Sequence, residues 1–264
     1  MTDPTDPHAE VVDRNRQAWD EVAQAGDQLY HGVSTEQIAA ARQGEFRIIV
    51  TPTISVPLDW FGELQQRDVL ALACGGGQQA PLLAAAGANV TVFDLSPKQL
   101  ERDREIATRE SLDIKTVAGD MRDLSVFADQ SFDLILNPTS VCFCPEVLPV
   151  WREAFRVLRP GGCLITGFHQ PLYYLFDKFE MDDEVLKVVH KIPYSDFDLS
   201  EEDRDALLGD VRPVEFSHTL DELVGGQLKT GFQITNFYTD RWGGEDRLSE
   251  LIDLFMATRA VKPS

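Results

Sequence analysis

Five short apolar runs follow one another between residues 69 and 168, with helix-like stretches between them: VLALA (69–73), VTVFD (90–94), KTVAGD (115–120), FDLIL (132–136) and CLITGF (163–168). A strand that is apolar at odd and even positions alike is covered on both faces, which calls for helices above and below a parallel sheet. Helix candidates at 78–86, 98–111 and 145–157 supply that cover, and a shorter connection at 121–131 joins the third run to the fourth. The 145–157 helix is expected to stop at Arg159-Pro160-Gly161-Gly162, because proline cannot continue a helix and glycine favours its end. The pattern predicts a doubly wound α/β fold.

Upstream of these runs, 13–25 carries Ala18, Trp19, Val22 and Ala23 at near-helical spacing. Gly26 and Gly32 bracket a loop holding Tyr30 and His31, and Ser34 is placed to cap a second helix over 34–44. The chain therefore divides into a helical N-terminal cap over 1–50 and an α/β domain over 51–264. At 264 residues and 43% hydrophobic content, one core is expected. The net charge of -20, with Lys and Arg scattered, repels polyanions, so neither nucleic acid nor a membrane surface is an expected partner. The first residues lack a basic-then-apolar segment, and no apolar run approaches the roughly 18 residues a bilayer requires, which points to the cytoplasm. Cys74, Cys142, Cys144 and Cys163 sit in or beside strand-like runs without the spacing of a zinc or redox pair. They read as buried free thiols, and no metal is expected.

In a doubly wound sheet, ligands bind at the carboxyl ends of the strands, and the loop after the first strand is the usual contact. Here that loop is Gly75-Gly76-Gly77, where missing side chains allow a sharp turn and let a ligand approach the backbone. On this reading, a side chain at Gly75 fills ligand space. Asp94 ends the second strand, where a carboxylate accepts hydrogen bonds from both hydroxyls of a ribose, and Asp120 ends the third, in reach of a base. An Asp after a strand also serves simply to cap the next turn. Together the positions indicate a nucleoside-like cofactor.

These residues resemble the class I S-adenosylmethionine-dependent methyltransferases, in their small-molecule branch. VLALACGGG looks like the family's first motif, VTVFDLS its ribose-binding acid, VAGDMRDL its adenine-binding Asp, FDLILNPTS its fourth strand and FRVLRPGGCLI its last shared helix and fifth strand. DELVGGQLKTGFQITNF is similar to the final helix and sixth strand, and FMATRAVKP to an antiparallel seventh strand. The resemblance implies a mostly parallel, seven-stranded sheet and S-adenosylmethionine as cofactor. It implies cofactor contacts at Ala73, Cys74, Gly75, Gly76, Gly77, Gln78, Asp94, Leu95, Asp120, Met121 and Asn137, with Tyr30 reaching in from the N-terminal loop. Two positions depart from the family: Ala71 and Ala73 stand where an acid and a glycine are usual, and Gln78 is placed to supply a missing polar contact.

Methyl transfer needs the acceptor held in line with the methyl carbon and shielded from water, with a base only where the acceptor is protonated. His169, directly after the fifth strand, is the candidate base. Tyr173, Tyr174 and His218 are candidate contacts for a small-molecule substrate, in an insertion over 169–218 that reads as a lid, or as a surface elaboration packed on the sheet. Asn137-Pro138 is similar to the NPP-type motif of amino-group methyltransferases, but Thr139 and Ser140 follow where a proline and an aromatic are usual, so an amino acceptor does not follow. Two alternatives remain at this level. Gly75, Gly77 and Ala80 with Asp94 satisfy a loose dinucleotide fingerprint, which suits an NAD(P)-dependent oxidoreductase, and Ala71 suits a non-catalytic S-adenosylmethionine-binding protein. The sequence specifies neither the acceptor nor the oligomeric state.

Overall fold

Four of the five runs become central strands of one sheet, whereas the third, expected to be covered on both faces, becomes the half-exposed edge strand β3 (Ile114–Ala118). The computed structural model describes residues 8–25, 32–176, 185–209, 212–244 and 247–264. Its strands are β1 (Asp68–Leu72), β2 (Asn89–Asp94), β3 (Ile114–Ala118), β4 (Phe132–Asn137), β5 (Leu158–His169), β6 (Gln233–Asp240) and β7 (Phe255–Val261). They form one mixed sheet in the order β3-β2-β1-β4-β5-β7-β6. The pairs among β1 to β5 are parallel, and β7 runs antiparallel to both β5 and β6. Chain order reverses between β1 and β4, where connections leave on opposite sides and open a crevice at the carboxyl ends.

The helices are α1 (Ala9–Ala25), α2 (Thr35–Ala41), α3 (Leu58–Phe61), α4 (Ala80–Ala85), α5 (Pro97–Glu110), α6 (Leu148–Val157), α7 (Glu201–Leu208), α8 (Gly226–Thr230) and α9 (Arg247–Leu251). Strand alternation divides the core. Val69 and Ala71 of β1 pack with Ile38, Phe61, Leu83 and Leu100 on one face, and Leu70 and Leu72 pack with Val150, Trp151 and Ala154 on the other. Ser34 closes a capping box with Gln37 at the start of α2. Ser96 caps α5, whose first residue is Pro97. The fifth strand is longer than its apolar run: Leu158 already pairs with Phe132, and Pro160-Gly161-Gly162 form a bulge before Leu134 meets Cys163.

Two segments are carried over the carboxyl ends of the strands. Residues 48–52 cross the end of β5, so close that a Cβ on Gly167 would stand 2.0 Å from Val50 O. Thr139, after β4, donates to the same oxygen from its amide (3.0 Å) and its hydroxyl (2.8 Å). The described part of 170–218 folds down on the loop after β4, where Phe216 N donates to Cys142 O at 2.7 Å. Tyr173, Tyr174, Tyr194, Cys142 and Phe255 form a third buried cluster there. Among the described residues, no helix is long and apolar enough to cross a membrane.

Candidate active site

Where β1 ends, the chain turns at Ala73 with φ +48, a left-handed conformation that costs an L-residue about 1–2 kcal/mol. Gly76 (φ +113) and Gly77 (φ +76) continue the turn. The glycines are bare for a reason other than room for a ligand. A Cβ on Gly75 would lie 2.7 Å from Gln99 Cβ and 3.0 Å from the Asp94 carboxyl carbon, and one on Gly77 would lie 2.3 Å from Ile106 Cδ1. The loop is pressed onto α5. Ala73, Cys74, Gly75 and Gln78 line the cleft at the crevice, whereas Gly76 and Gly77 are buried against the helix and do not.

Two carboxylates hold this loop. Asp94 Oδ2 accepts from Gly75 N at 2.8 Å and Oδ1 from Ser96 N at 2.9 Å, and its carboxyl lines the cleft. Burial raises its pKa against the opposing pull of those amides. Asp103, on α5, accepts from Gly76 N at 3.0 Å through Oδ2, and its Oδ1 is buried without a partner. Burial pushes Asp103 up to about 7, with the Asp94 charge adding to the rise and the Gly76 and Gly77 amides opposing it.

Because the folded chain holds that proton more tightly than the unfolded one, Asp103 favours folding most below pH 4, and its contribution is lost as pH rises to about 7. Asp103→Asn is therefore expected to flatten the pH dependence of stability between pH 4 and 7. Above pH 7 it should gain on the wild type by on the order of 2–4 kcal/mol. Urea midpoints at pH 5 and pH 8 test this, and parallel pH profiles for the two proteins would refute it.

The remaining predicted positions divide. Leu95, Asp120 and Met121 line the cleft, with Phe93, Gln99 and Gly119 beside them. Asp120 is held by Arg122, whose Nε and Nη2 reach Oδ2 at 3.0 and 2.7 Å. Asn137 does not line the cleft. Its Nδ2 donates to Leu72 O (3.0 Å) and Ser140 Oγ (2.8 Å), and its Oδ1 accepts from Thr166 Oγ1 (2.8 Å), so the side chain ties β1, β4 and β5 together from inside the sheet. His218 is likewise packed behind the site: Nε2 lies 3.0 Å from Val141 O, and burial lowers its pKa. Burial with the carboxylates of Asp103 and Asp94 raises the Cys74 thiol far above its ordinary range, which removes any nucleophilic role. Tyr30 lies outside the described residues.

The cleft is roofed by α1, through Val12, Asn15 and Trp19. Asn15 is the anchor: its Nδ2 donates to Phe143 O (2.9 Å) and Val214 O (3.1 Å), and its Oδ1 accepts from Val214 N (2.7 Å). A second cavity, of about 710 Å³, adjoins the cleft. The two share a wall formed by Trp19, Gln79, Pro138, Thr139 and Phe143. The second holds His169 and Tyr173 with Arg212, Glu215, Trp242 and Phe255. Tyr174 stands behind that wall, its hydroxyl donating to Glu215 Oε2 at 3.2 Å.

A family model described as a methyltransferase domain matches residues 70–166. An uncharacterized methyltransferase, YbaJ of Bacillus subtilis (strain 168), is 46% identical over 253 residues, covering 96% of this chain and 98% of the relative. The chain belongs to the class I S-adenosylmethionine-dependent methyltransferases. The 27-O-demethylrifamycin SV methyltransferase of Amycolatopsis mediterranei (strain S699) is 31% identical over 63% of this chain and 60% of its own length. An S-adenosylmethionine-dependent methyltransferase from Mesorhizobium loti has the same fold, with a TM-score of 0.60 at 19% identity over 77% of this chain and 94% of that one. None of these relatives supports the oxidoreductase or the non-catalytic alternative.

For a methyltransferase, the positions missed in the sequence are informative. Asn15 and Val12 lie on the helix of the N-terminal cap and were not singled out, Arg212 and Glu215 lie unmarked in the 169–218 insertion read as a lid, and Trp242 comes from a stretch without a motif. Gln99 and Asp103 had a usable signal. With Leu100, Ile106, Ala107 and Glu110 they form a stripe at helical spacing, so the face of α5 that carries them had to be the buried one.

Proposed function

We propose that this methyltransferase uses the crevice cleft for S-adenosylmethionine and the adjoining cavity for a small, apolar acceptor. The observation that carries the reading is the shared wall, which makes ligands in the two spaces neighbours. The cleft fits the cofactor on its own chemistry. Each Asp94 oxygen accepts one backbone amide and keeps acceptor capacity for a ribose hydroxyl. Phe93, Leu95 and Met121 offer apolar flanks to a purine. The bound cofactor supplies a methyl group already activated on a sulfonium. Trp19 and Phe143, in edge contact at 5.0 Å, shield the junction from water, and His169 is the base for a protonated acceptor. The relative named for 27-O-demethylrifamycin SV supports an acceptor of the small-molecule class.

Titration calorimetry tests the cofactor. S-adenosylmethionine and S-adenosylhomocysteine are expected to bind, while NAD(H) gives no heat. Binding of NAD(H) with none of either sulfur nucleoside would overturn the reading. Incubation with a metabolite extract and S-adenosylmethionine should then yield a product heavier by one methylene.

A further inference from the structure

The wall of the acceptor cavity contains a chain of polar contacts that packing alone does not require. His169 stacks on Tyr173 with ring centroids 4.9 Å apart and planes 16° from parallel, and it lies 4.6 Å from the Phe255 ring. Its Nδ1 is 3.4 Å from the Tyr174 hydroxyl, a long contact of the kind that tightens once substrate is bound. That hydroxyl donates to Glu215 Oε2, and Glu215 Oε1 accepts from Arg212 Nη2 at 3.2 Å. The Glu215 backbone is fixed in turn, its amide donating to Asp196 Oδ2 at 2.7 Å, while Asp196 Oδ1 accepts from the Tyr194 hydroxyl at 2.6 Å.

The direction of these bonds follows from the groups. An ionised carboxylate only accepts, so the single proton of the Tyr174 hydroxyl points to Glu215, and the Tyr174 oxygen is left as an acceptor toward the imidazole. Burial and the Glu215 charge keep that phenol protonated. Nδ1 then carries the ring proton and Nε2 the lone pair, the form in which a histidine acts as a base. The charged groups on the cavity wall among the described residues, Arg212 and Glu215, are paired with each other, and Asp196 stands behind them.

Building on the function proposed above, we propose that Glu215, acting through Tyr174, is a positioning residue that holds His169 as its Nδ1–H tautomer, so that Nε2 takes the proton from the phenolic hydroxyl of an apolar aromatic acceptor. The class follows from the walls. Trp19, Phe143, Tyr173, Trp242 and Phe255 present ring surface to a planar molecule, and the Arg212–Glu215 pair offers no net charge to an ionic one. A phenol ionises within a few units of imidazole, so one proton transfer suffices. In the step, the acceptor O–H bond breaks and its proton goes to Nε2. The oxygen lone pair forms the O–CH3 bond, and the electrons of the broken C–S bond return to the sulfonium sulfur. The products are a methyl ether, a neutral thioether and an imidazolium.

Two readings in the presence of S-adenosylhomocysteine test this, after its own binding heat has been measured. Absence of that heat removes the underlying function, whereas its presence confines any later failure to this inference. In 15N-histidine-labelled protein at pH 8, His169 signals, assigned by their loss in His169→Gln, are expected to show the Nδ1–H pattern. Tyr174→Phe, which keeps the ring packing, and Glu215→Gln should both convert it to the averaged pattern of an unrestrained imidazole. A wild-type Nε2–H pattern, or an Nδ1–H pattern that survives Tyr174→Phe, overturns the relay. For the acceptor class the probe is 2-naphthol, expected to bind the complex, to shift the Nε2 resonance, and to bind about tenfold more weakly to His169→Gln. No binding, or equal binding to both proteins, overturns the class.

Discussion

Gly75→Val is expected to lose about 1–3 kcal/mol of stability before any ligand is added, and to lose the stabilisation by S-adenosylhomocysteine as well. Both effects have one cause. The space a side chain would enter is already filled by Gln99 Cβ and the Asp94 carboxylate, so the substitution separates the loop from α5 and displaces the carboxylate proposed to face the ribose. Gly75 does not have a positive φ, so the cost is steric and begins with the first carbon: Gly75→Ala should already be destabilised, by about 1 kcal/mol. Denaturant midpoints of the three proteins, with and without ligand, give the answer. A valine variant with the wild-type midpoint, or with the full ligand-induced shift, would contradict the packing described for this loop.

Asp94→Ala is expected to weaken S-adenosylhomocysteine binding by about 1.5–3 kcal/mol, roughly tenfold to a hundredfold in Kd, through loss of charged hydrogen bonds. Unlike a purely ligand-facing residue, it should also lower stability without ligand, since the amides of Gly75 and Ser96 lose their acceptor. Asp94→Asn retains one acceptor oxygen for one of the two amides and turns a donor toward the other, so only part of the stability should return and most of the affinity should not. Calorimetry on both variants decides it. If Asp94→Ala binds as the wild type does, Asp94 is only a cap for the turn.

The sheet was legible where burial is symmetrical. β1, β2, β4 and the apolar part of β5 are covered on both faces, and their sequences are continuously apolar. β6 is an edge strand, half exposed along most of its length, and only the family resemblance marked it. Asp94 was legible because a strand end fixes where a side chain stands. Asn137 ends a strand too, yet it was misplaced: the sequence could not show that Leu72 O, Ser140 and Thr166 would occupy its whole amide. Asp103 was passed over because its neighbours, Arg102, Arg104 and Glu105, give the helix a solvated look, although its spacing from Gln99 and Ile106 places it on the buried stripe. His169 stood out as the residue after the fifth apolar run, and it is the last residue of β5. Tyr174 and Glu215, which set its ring, are 41 positions apart, and no local pattern joins them.

Asn15 also sets an order of events while the chain is being made. Its bonds to Phe143 and Val214 close over separations of 128 and 199 residues. The helix can therefore dock early on α5, where Asp20 accepts from Ser96 Oγ and Lys98 N, but Asn15 has both of its partners only once residue 214 has emerged. At roughly 5–20 residues per second, synthesis leaves that anchor incomplete for on the order of ten seconds or more, long after β1 and the glycine turn exist. Such non-local closure is slow relative to local structure. A nascent chain truncated before Val214 would carry the floor of the cleft under a cover that lacks half of its anchor, so the proposed cofactor would be retained less well until that residue has emerged.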